Sequence, residues 1–263
     1  MSSVRCQVAK LALSLPKRGR WQVAEQSQGI PVARPQATTS SFWTAVWSIV
    51  WKDLRIEQHT RQTLSVMLMF SLVVVVMFNF ALSTDLDAAR QVSTGLLWAT
   101  IILAGTLGLN RSLSIERENQ TIDALLIAPV DRRGIYLAKV ISVTIFTLLL
   151  EVALVFIFTI FFNKPFWQPA ALLVLFLGTI GYVAAGVLVT SMTIQTRSRE
   201  VLLPILLLPI VLPLILPAAI ATAEIVSLQP QMDTVNSSIS LIAAYDLAIL
   251  AVGFFSYPFL VES

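Results

Sequence analysis

Few residues of this chain have the chemistry that an enzyme or a metal site requires. The 263 residues include one cysteine, Cys6, and one histidine, His59, so cysteine clusters and multi-histidine metal sites are excluded. The phosphate-binding pattern G-x-x-x-x-G-K-[ST] does not occur, so the chain cannot hold the phosphates of ATP in that way. The sequence therefore predicts a protein with no catalytic residues, no metal and no firmly bound cofactor.

Two acidic residues inside apolar segments are candidates for a substrate path or an intramembrane polar site. Glu151 lies near the middle of a long apolar segment, where a charge is costly. The alternative for Glu151 is a protonated glutamic acid bonded to a Ser, Thr or Asn of a neighbouring helix. Asp246 lies several residues into the last apolar segment, and we expect it near the outer interface rather than in the wall of an exit path.

The densest group of charges lies between the second and third apolar segments, in residues 110–134. Ile115, Ile122, Leu125 and Leu126 recur there at helical spacing, with charged residues on the other faces. Pro129 predicts that this helix ends near Ala128. A short amphipathic helix outside the membrane suits the docking of a soluble partner, and a solvated connector is the alternative.

The elements that position these residues follow from composition. Hydrophobic residues make up 56% of the chain and charged residues 13%, whereas soluble domains carry about 25% charge. Lipid is therefore the expected solvent, and segments of about 20 apolar residues must cross it as helices. The expected fold is an all-α polytopic membrane protein with six transmembrane helices. We predict them at Leu64–Leu82, Val92–Asn110, Val140–Phe162, Pro169–Thr193, Val201–Ala223 and Ile239–Leu260.

The chain divides into residues 1–41 and 42–263 by composition. The first part is basic and poor in acids, which fits an organellar transit peptide, a disordered tail or a start codon placed too far upstream. From Phe42 to Thr63 tryptophans recur at helical spacing beside basic residues, which predicts an N-terminal helix in the membrane interface.

Basic residues are distributed unevenly between the two sides of these spans. One side receives Lys52, Arg55, Arg61, Arg111, Arg117, Arg132, Arg133, Lys139, Arg197 and Arg199, and the other receives Arg90 and Lys164. This bias predicts that both termini lie in the cytoplasm, or in the matrix of an organelle. The loops at 83–91 and 223–238, on the second side, are expected to carry no helix of their own.

Two spans have unusual backbones. The fifth contains Pro204, Pro209, Pro213 and Pro217, which predicts either a flexing helix or a statically bent one. The fourth contains Gly178, Gly181, Gly186, Ala184 and Ala185, which predicts close helix–helix contact.

Three segments resemble a known family. The run Glu116-Arg-Glu-Asn-Gln-Thr-Ile-Asp-Ala-Leu-Leu-Ile-Ala-Pro-Val-Asp-Arg132 is similar to the Glu-x-Glu-x-Gly-Thr-Leu-Glu-x-Leu-Leu-x-x-Pro signature of ABC-2-type permeases, with Gln120 in place of the usual glycine. Trp51-Lys-Asp-Leu-Arg-Ile-Glu57 and the proline-spaced run from Leu202 to Pro213 add to the match. From Val46 to Leu260 the chain resembles the B-subunit family of cytochrome c maturation haem exporters.

The resemblance implies the membrane subunit of an ABC transporter, with haem as a possible substrate. The segment 116–128 would then be the cytoplasmic coupling helix, with the coupling residues Glu116, Arg117, Glu118, Thr121, Asp123, Leu125 and Leu126. Expected partners are a separate ATPase subunit, a haem-handling membrane subunit, a haem chaperone, a second copy of this chain and membrane lipid, with no nucleic acid. The expected location is the bacterial inner membrane, or an organellar inner membrane. His59 could ligate haem iron, but its neighbours Glu57 and Arg61 favour a solvated or interfacial histidine.

The residues leave other functions open. An ABC-2-type permease for another substrate remains an alternative, as does an assembly subunit that transports nothing and couples ATP use to release of a haem chaperone. A membrane enzyme is disfavoured, because Glu151 is the one polar residue clearly at mid-membrane depth.

Overall fold

The structure, a computed structural model, describes residues 42–82, 86–118, 131–193 and 199–262. These ranges are helical throughout apart from short turns, and no strand occurs within them. The helices are α1 (Phe42–Thr60), α2 (Gln62–Ala81), α3 (Leu86–Glu118), α4 (Arg132–Phe162), α5 (Pro169–Thr193), α6 (Arg199–Ile225) and α7 (Met232–Glu262). The expected leader, residues 1–41, lies outside the described residues.

Helices α2 to α7 are each long and apolar enough to cross a membrane, which confirms the predicted all-α architecture with six spans. Several of them extend past the predicted limits. Helix α4 begins eight residues before Val140, and it is about 46 Å long, against a hydrocarbon core of about 30 Å. Hydropathy marks only the part of a helix that lies in lipid, and the backbone hydrogen bonds continue beyond it.

The membrane helices extend into residues 83–91 and 223–238, which were expected to carry no helix of their own. Helix α3 already begins at Leu86, helix α6 continues to Ile225, and helix α7 begins at Met232. These helix ends carry polar residues that reduce hydropathy, but a polar side chain at the water boundary does not interrupt a helix.

Helix α5 lies at the centre of the bundle. A side-chain carbon added at Gly178 would overlap the ring of Trp98 on α3, and one at Gly186 would overlap Leu109. Trp98 is itself held by a 3.2 Å hydrogen bond from its indole nitrogen to the hydroxyl of Thr222 on α6. The small residues of α5 therefore let bulky neighbours reach its backbone, and the predicted close helix–helix contact is confirmed.

Helix α1 has two different faces. Val46, Val50 and Asp53 are buried against the bundle, whereas Trp43, Trp47 and Trp51 are each more than half exposed. The tryptophans thus point away from the protein, as a helix in the membrane interface requires.

Candidate coupling and substrate sites

The predicted coupling helix falls largely on residues that the structure does not describe. Thr121, Asp123, Leu125 and Leu126 lie outside the described residues, and so do the side chains of Glu116, Arg117 and Glu118. The described chain ends at Glu118 in α3 and resumes at Asp131, directly before α4. A movement of the segment between α3 and α4 would therefore act on the contacts at the start of α4.

The start of α4 is fixed to the end of α7. Asp131 has extended backbone and accepts a hydrogen bond from the amide of Arg133 at 3.0 Å, which caps the helix. Arg132 donates to the carbonyl of Pro258 at 3.5 Å. The guanidinium of Arg133 lies 5.4 Å from the ring centre of Phe254, within the range of a cation–π contact.

One turn further, Tyr136 links α4 to two other helices. Its side chain is fully buried, and its hydroxyl donates to the carbonyl of Ala184 on α5 at 3.2 Å. Its ring lies 5.5 Å from that of Tyr257 on α7 and occupies the space where a side chain at Gly253 would be. The beginning of α4 is thus packed against both α5 and α7.

A buried ion pair joins α4 to α1. The ammonium of Lys139 lies 2.7 Å from the carboxylate of Asp53, and both side chains are less than a tenth exposed. Lys52 lies 3.2 Å from the other oxygen of Asp53 and is about one-third exposed. Two charges this deeply buried stabilise the contact only as a pair, because each alone would be left desolvated.

A sharp corner joins α1 to α2. Arg61 has φ of 49° and ψ of 22°, a left-handed conformation that is uncommon for a residue with a side chain. Its amide donates to the carbonyl of Glu57 at 2.7 Å, and the buried carboxylate of Glu57 accepts from the amide of Leu64 at 2.9 Å. Glu57 therefore caps the first turn of α2 and holds the corner.

Asp53, Glu57 and Lys139 were not among the site residues predicted from the sequence. Lys139 was assigned to a loop, but it lies inside α4 and is buried. A signal for the two acids was present: with Val46 and Val50 they form a single helical face, and acids on an apolar face imply buried partners. The tryptophans, which lie on the opposite face, are the more conspicuous pattern in the sequence.

Glu151 is buried between α4 and α5. Its side chain is 4% exposed, and its carboxyl accepts a hydrogen bond from the hydroxyl of Thr179. This contact matches the alternative predicted for Glu151, in which a Ser, Thr or Asn of a neighbouring helix bonds to the carboxyl group.

Asp246 lies in the middle of α7 and is 6% exposed, rather than near the end of this helix as expected. Helix α7 begins at Met232 rather than Ile239, which moves Asp246 from near the helix end to its centre. Neither carboxyl oxygen has a hydrogen-bond partner within the described chain. The carboxyl group lies against Gly181 of α5, where an added side chain would overlap it.

The two acids are separated by α5. Their contact residues on that helix, Thr179 and Gly181, are two positions apart, which corresponds to about 3 Å along the axis and about 200° around it. Glu151 and Asp246 therefore lie at similar depth on different sides of α5. The arrangement does not bring them together into one site.

The prolines lie within an unbroken helix. Leu203, Leu207, Val211, Leu214 and Ala218 form the buried face of α6, and Pro204, Pro209, Pro213 and Pro217 are partly or largely exposed. The carbonyl of Ile210 would normally accept from the amide of Leu214, directly after Pro213. It also accepts from the hydroxyl of Tyr245 on α7 at 2.8 Å, which joins α6 to α7.

At the opposite end of the bundle, Lys164 follows α4 in a short turn. Burial lowers the pKa of its ammonium group, and the nearby Arg90 lowers it further. This is the sparse end of the charge distribution, with few basic groups. In the described ranges, no group of three or more His, Cys, Asp or Glu side chains could hold a metal ion.

The fold and these sites define a polytopic helical membrane protein with an amphipathic helix before its first span. Residues 44–263 match the protein family described as "CcmB protein", and the chain belongs to this family.

Curated relatives carry the name "Heme exporter protein B". Those from Rhodobacter capsulatus and Paracoccus denitrificans are each 26% identical over 167 residues, which cover 62% of this chain and 75% of the relative. The one from Pseudomonas aeruginosa is 26% identical over 144 residues, which cover 54% of this chain and 65% of the relative.

Proposed function

We propose that this chain is the membrane permease subunit of an ABC transporter that delivers haem for c-type cytochrome biogenesis. The observation that carries the proposal is the family match, which extends over the whole helical bundle, residues 44–263. The relatives that the chain resembles are named heme exporters. In this assignment residues 42–263 are the permease domain, and residues 1–41 are a basic leader or tail.

ATP would be hydrolysed on a separate subunit that docks on the segment between α3 and α4. The contacts at the start of α4 support this role, because they connect it with three other helices: Lys139 pairs with α1, Tyr136 bonds α5, and Arg132 bonds α7. A displacement of the docking segment would thus be transmitted to most of the bundle. Glu116, Glu118 and Asp123 are the proposed contacts for basic residues of the ATPase.

The proposed location is the bacterial inner membrane, with both termini in the cytoplasm. The bond from Arg132 to Pro258 places the start of α4 beside the end of α7, which agrees with an even number of spans. The excess of basic residues at this end supports its cytoplasmic location. The proposed assembly contains two copies of this subunit and two ATPase subunits, together with a haem-handling membrane protein and a haem chaperone.

The test is deletion of the gene, scored by covalent haem on c-type cytochromes in a haem-dependent peroxidase stain. We expect the stain to disappear and the wild-type gene to restore it. A variant with Glu116, Glu118 and Asp123 all changed to Ala should reach the membrane, fail to restore the stain and co-purify less ATPase. The matched control changes Glu224 and Asp233, which lie at the opposite end of the bundle, and should restore the stain.

Persistence of the stain in the deletion strain would refute the haem assignment. A second strain carries a catalytically inactive ATPase with the wild-type membrane subunit. Full cytochrome maturation in that strain would show that the chain does not act as an ATP-driven permease.

A further inference from the structure

A groove with a volume of about 950 Å³ lies where the end of α1, the start of α2 and the middle of α4 meet. One part of its lining is apolar and is formed by Leu64, Leu68, Phe146 and Leu149. The other part is polar and includes His59, Arg61 and Glu57. The groove is therefore amphipathic, and its polar part belongs to the corner between α1 and α2.

One ring nitrogen of His59 is available to bind a metal. Its Nδ1 lies 3.1 Å from the carbonyl oxygen of Arg55, one turn earlier in α1. A carbonyl only accepts hydrogen bonds, so Nδ1 is the donor in this contact, which leaves Nε2 as the ring nitrogen that can bind a metal. A backbone bond to one ring nitrogen is the usual way in which a protein orients a histidine toward a metal.

Arg61 supplies a positive charge at the same place. Its left-handed backbone is held by Glu57 through the amide of Arg61 itself, which fixes where its side chain begins. The carboxylate of Glu57 is occupied by the amide of Leu64. A guanidinium binds carboxylate groups with paired hydrogen bonds, so an anionic group of a ligand is the expected partner of Arg61.

The apolar part of the groove extends along the helices toward the middle of the bundle. Arg61 and Leu68 are separated by seven residues, about 10 Å of helix. Leu68 is 40% exposed and Leu149 is 52% exposed, so the apolar wall can be reached from the side of the bundle where the lipid would lie. An amphiphile dissolved in the membrane could thus bind without passing through water.

We propose that this groove binds haem, with His59 Nε2 ligating the iron, Arg61 pairing with a propionate, and the macrocycle lying against Leu64, Leu68 and Phe146. A metal ligand, a cation and an apolar wall in one groove match the three chemical parts of haem. The inference rests on the proposed function for its choice of ligand, and it adds the place where haem meets the chain.

The test uses the full chain in phosphatidylcholine nanodiscs, purified with a tag that contains no histidine. Because His59 is the one histidine of the chain, no other residue of the chain can give a histidine-ligated haem spectrum. We expect haem titration to produce that spectrum and His59→Ala to abolish it. Arg61→Gln should keep the spectrum and weaken binding about tenfold or more, the effect of losing a charged hydrogen bond.

The matched control is Arg55→Gln. Arg55 is an exposed arginine of the same helix that does not line the groove, and its backbone carbonyl toward His59 stays in place. This variant should bind haem as the wild type does. Equal haem binding by the wild type and by His59→Ala would overturn the inference. If phosphatidylglycerol in the nanodiscs blocks binding while His59→Ala has no effect, the groove holds anionic lipid instead.

The cellular stain separates this inference from the proposed function. If the deletion strain loses the stain and His59→Ala fully restores it, haem ligation at His59 is refuted and the permease assignment stands. If the deletion strain keeps the stain, the permease assignment fails, and the nanodisc titration still decides whether the groove binds haem. A variant that supports neither the spectrum nor the stain, with unchanged expression, is the expected result.

Discussion

Replacement of Lys139 by methionine is the sharpest test of the contact between α1 and α4. Methionine keeps the length and flexibility of the lysine stem and removes the charge. The carboxylate of Asp53, buried at 8% exposure, would lose the ammonium that lies 2.7 Å from it. Lys52, at 3.2 Å and about one-third exposed, would be the remaining cation.

The magnitude follows from these contacts. Removing one partner of a buried ion pair costs about 3–5 kcal/mol, because the other charge stays desolvated. Since Lys52 remains close to Asp53, we expect the lower end, about 3 kcal/mol. One kcal/mol shifts the Tm of a chain of this size by about 2–4 °C, so Lys139→Met should lower the Tm by roughly 6–12 °C.

The assay is thermal unfolding of the purified chain in nanodiscs, followed by intrinsic fluorescence of its six tryptophans. Lys52→Met is the matched control. It removes the cation that lies farther from the same carboxylate, at 3.2 Å, so we expect a smaller loss than for Lys139→Met. The double variant Asp53→Leu, Lys139→Met should recover most of the lost stability, because no unpaired charge remains.

A Tm for Lys139→Met within about 2 °C of the wild type would refute the reasoning, since the expected loss is several times larger. A double variant as unstable as Lys139→Met alone would also contradict it. In that case the loss would come from packing of the lysine stem rather than from the buried charge of Asp53.

Three further predictions concern other contacts. Thr179→Val should cost about 1–3 kcal/mol by leaving the buried carboxyl of Glu151 without its donor, whereas Glu151→Gln keeps an acceptor there and should change the Tm little. Gly178→Ala should destabilise the chain by about 1–3 kcal/mol, because the added carbon would overlap the buried tryptophan beside it. Gly95→Ala is the control and should not destabilise the chain, because there is open space around Gly95. Both effects are measured from unfolding curves. Because the pKa of Lys164 is lowered, an amine reagent should label it at a lower pH than ordinary lysines. The reagent is membrane-impermeant and is added outside intact spheroplasts, and the labelling is measured by mass spectrometry. Labelling only after lysis would place this end of the bundle in the cytoplasm.

The number and type of the membrane helices could be predicted because lipid leaves the backbone no other solution. The ends of these helices could not be predicted. Charged helical turns such as Arg132–Lys139 have low hydropathy, but the helix continues through them in water and against other helices. The true position of Asp246 depended on one such end. Once α7 begins at Met232 rather than Ile239, Asp246 lies at the helix centre.

The candidate site was harder to predict, because its contacts join residues far apart in the chain. Asp53 and Lys139 are separated by 86 positions, and no periodicity within either helix identifies the partner. For Glu151 the type of partner was predicted, a hydroxyl or amide on a neighbouring helix, but not that it is Thr179. Which threonine contacts Glu151 depends on how α5 packs against its neighbours. That packing depends on where the glycines of α5 let other helices come close.

The polar contacts of α1 also connect the two proposed sites. Asp53 and Glu57 are one turn apart on the same buried face, and Asp53 binds α4 while Glu57 holds the corner at Arg61. If an ATPase moves the segment before α4, the ion pair carries α1 with it, and α1 carries the corner that borders the groove. Rigid helices joined by buried charges transmit such a shift better than apolar contacts that can slide, because separating the charges is costly. Lys139→Met breaks the first link of this connection without touching the groove, so it should uncouple haem binding from ATP use as well as lower the Tm.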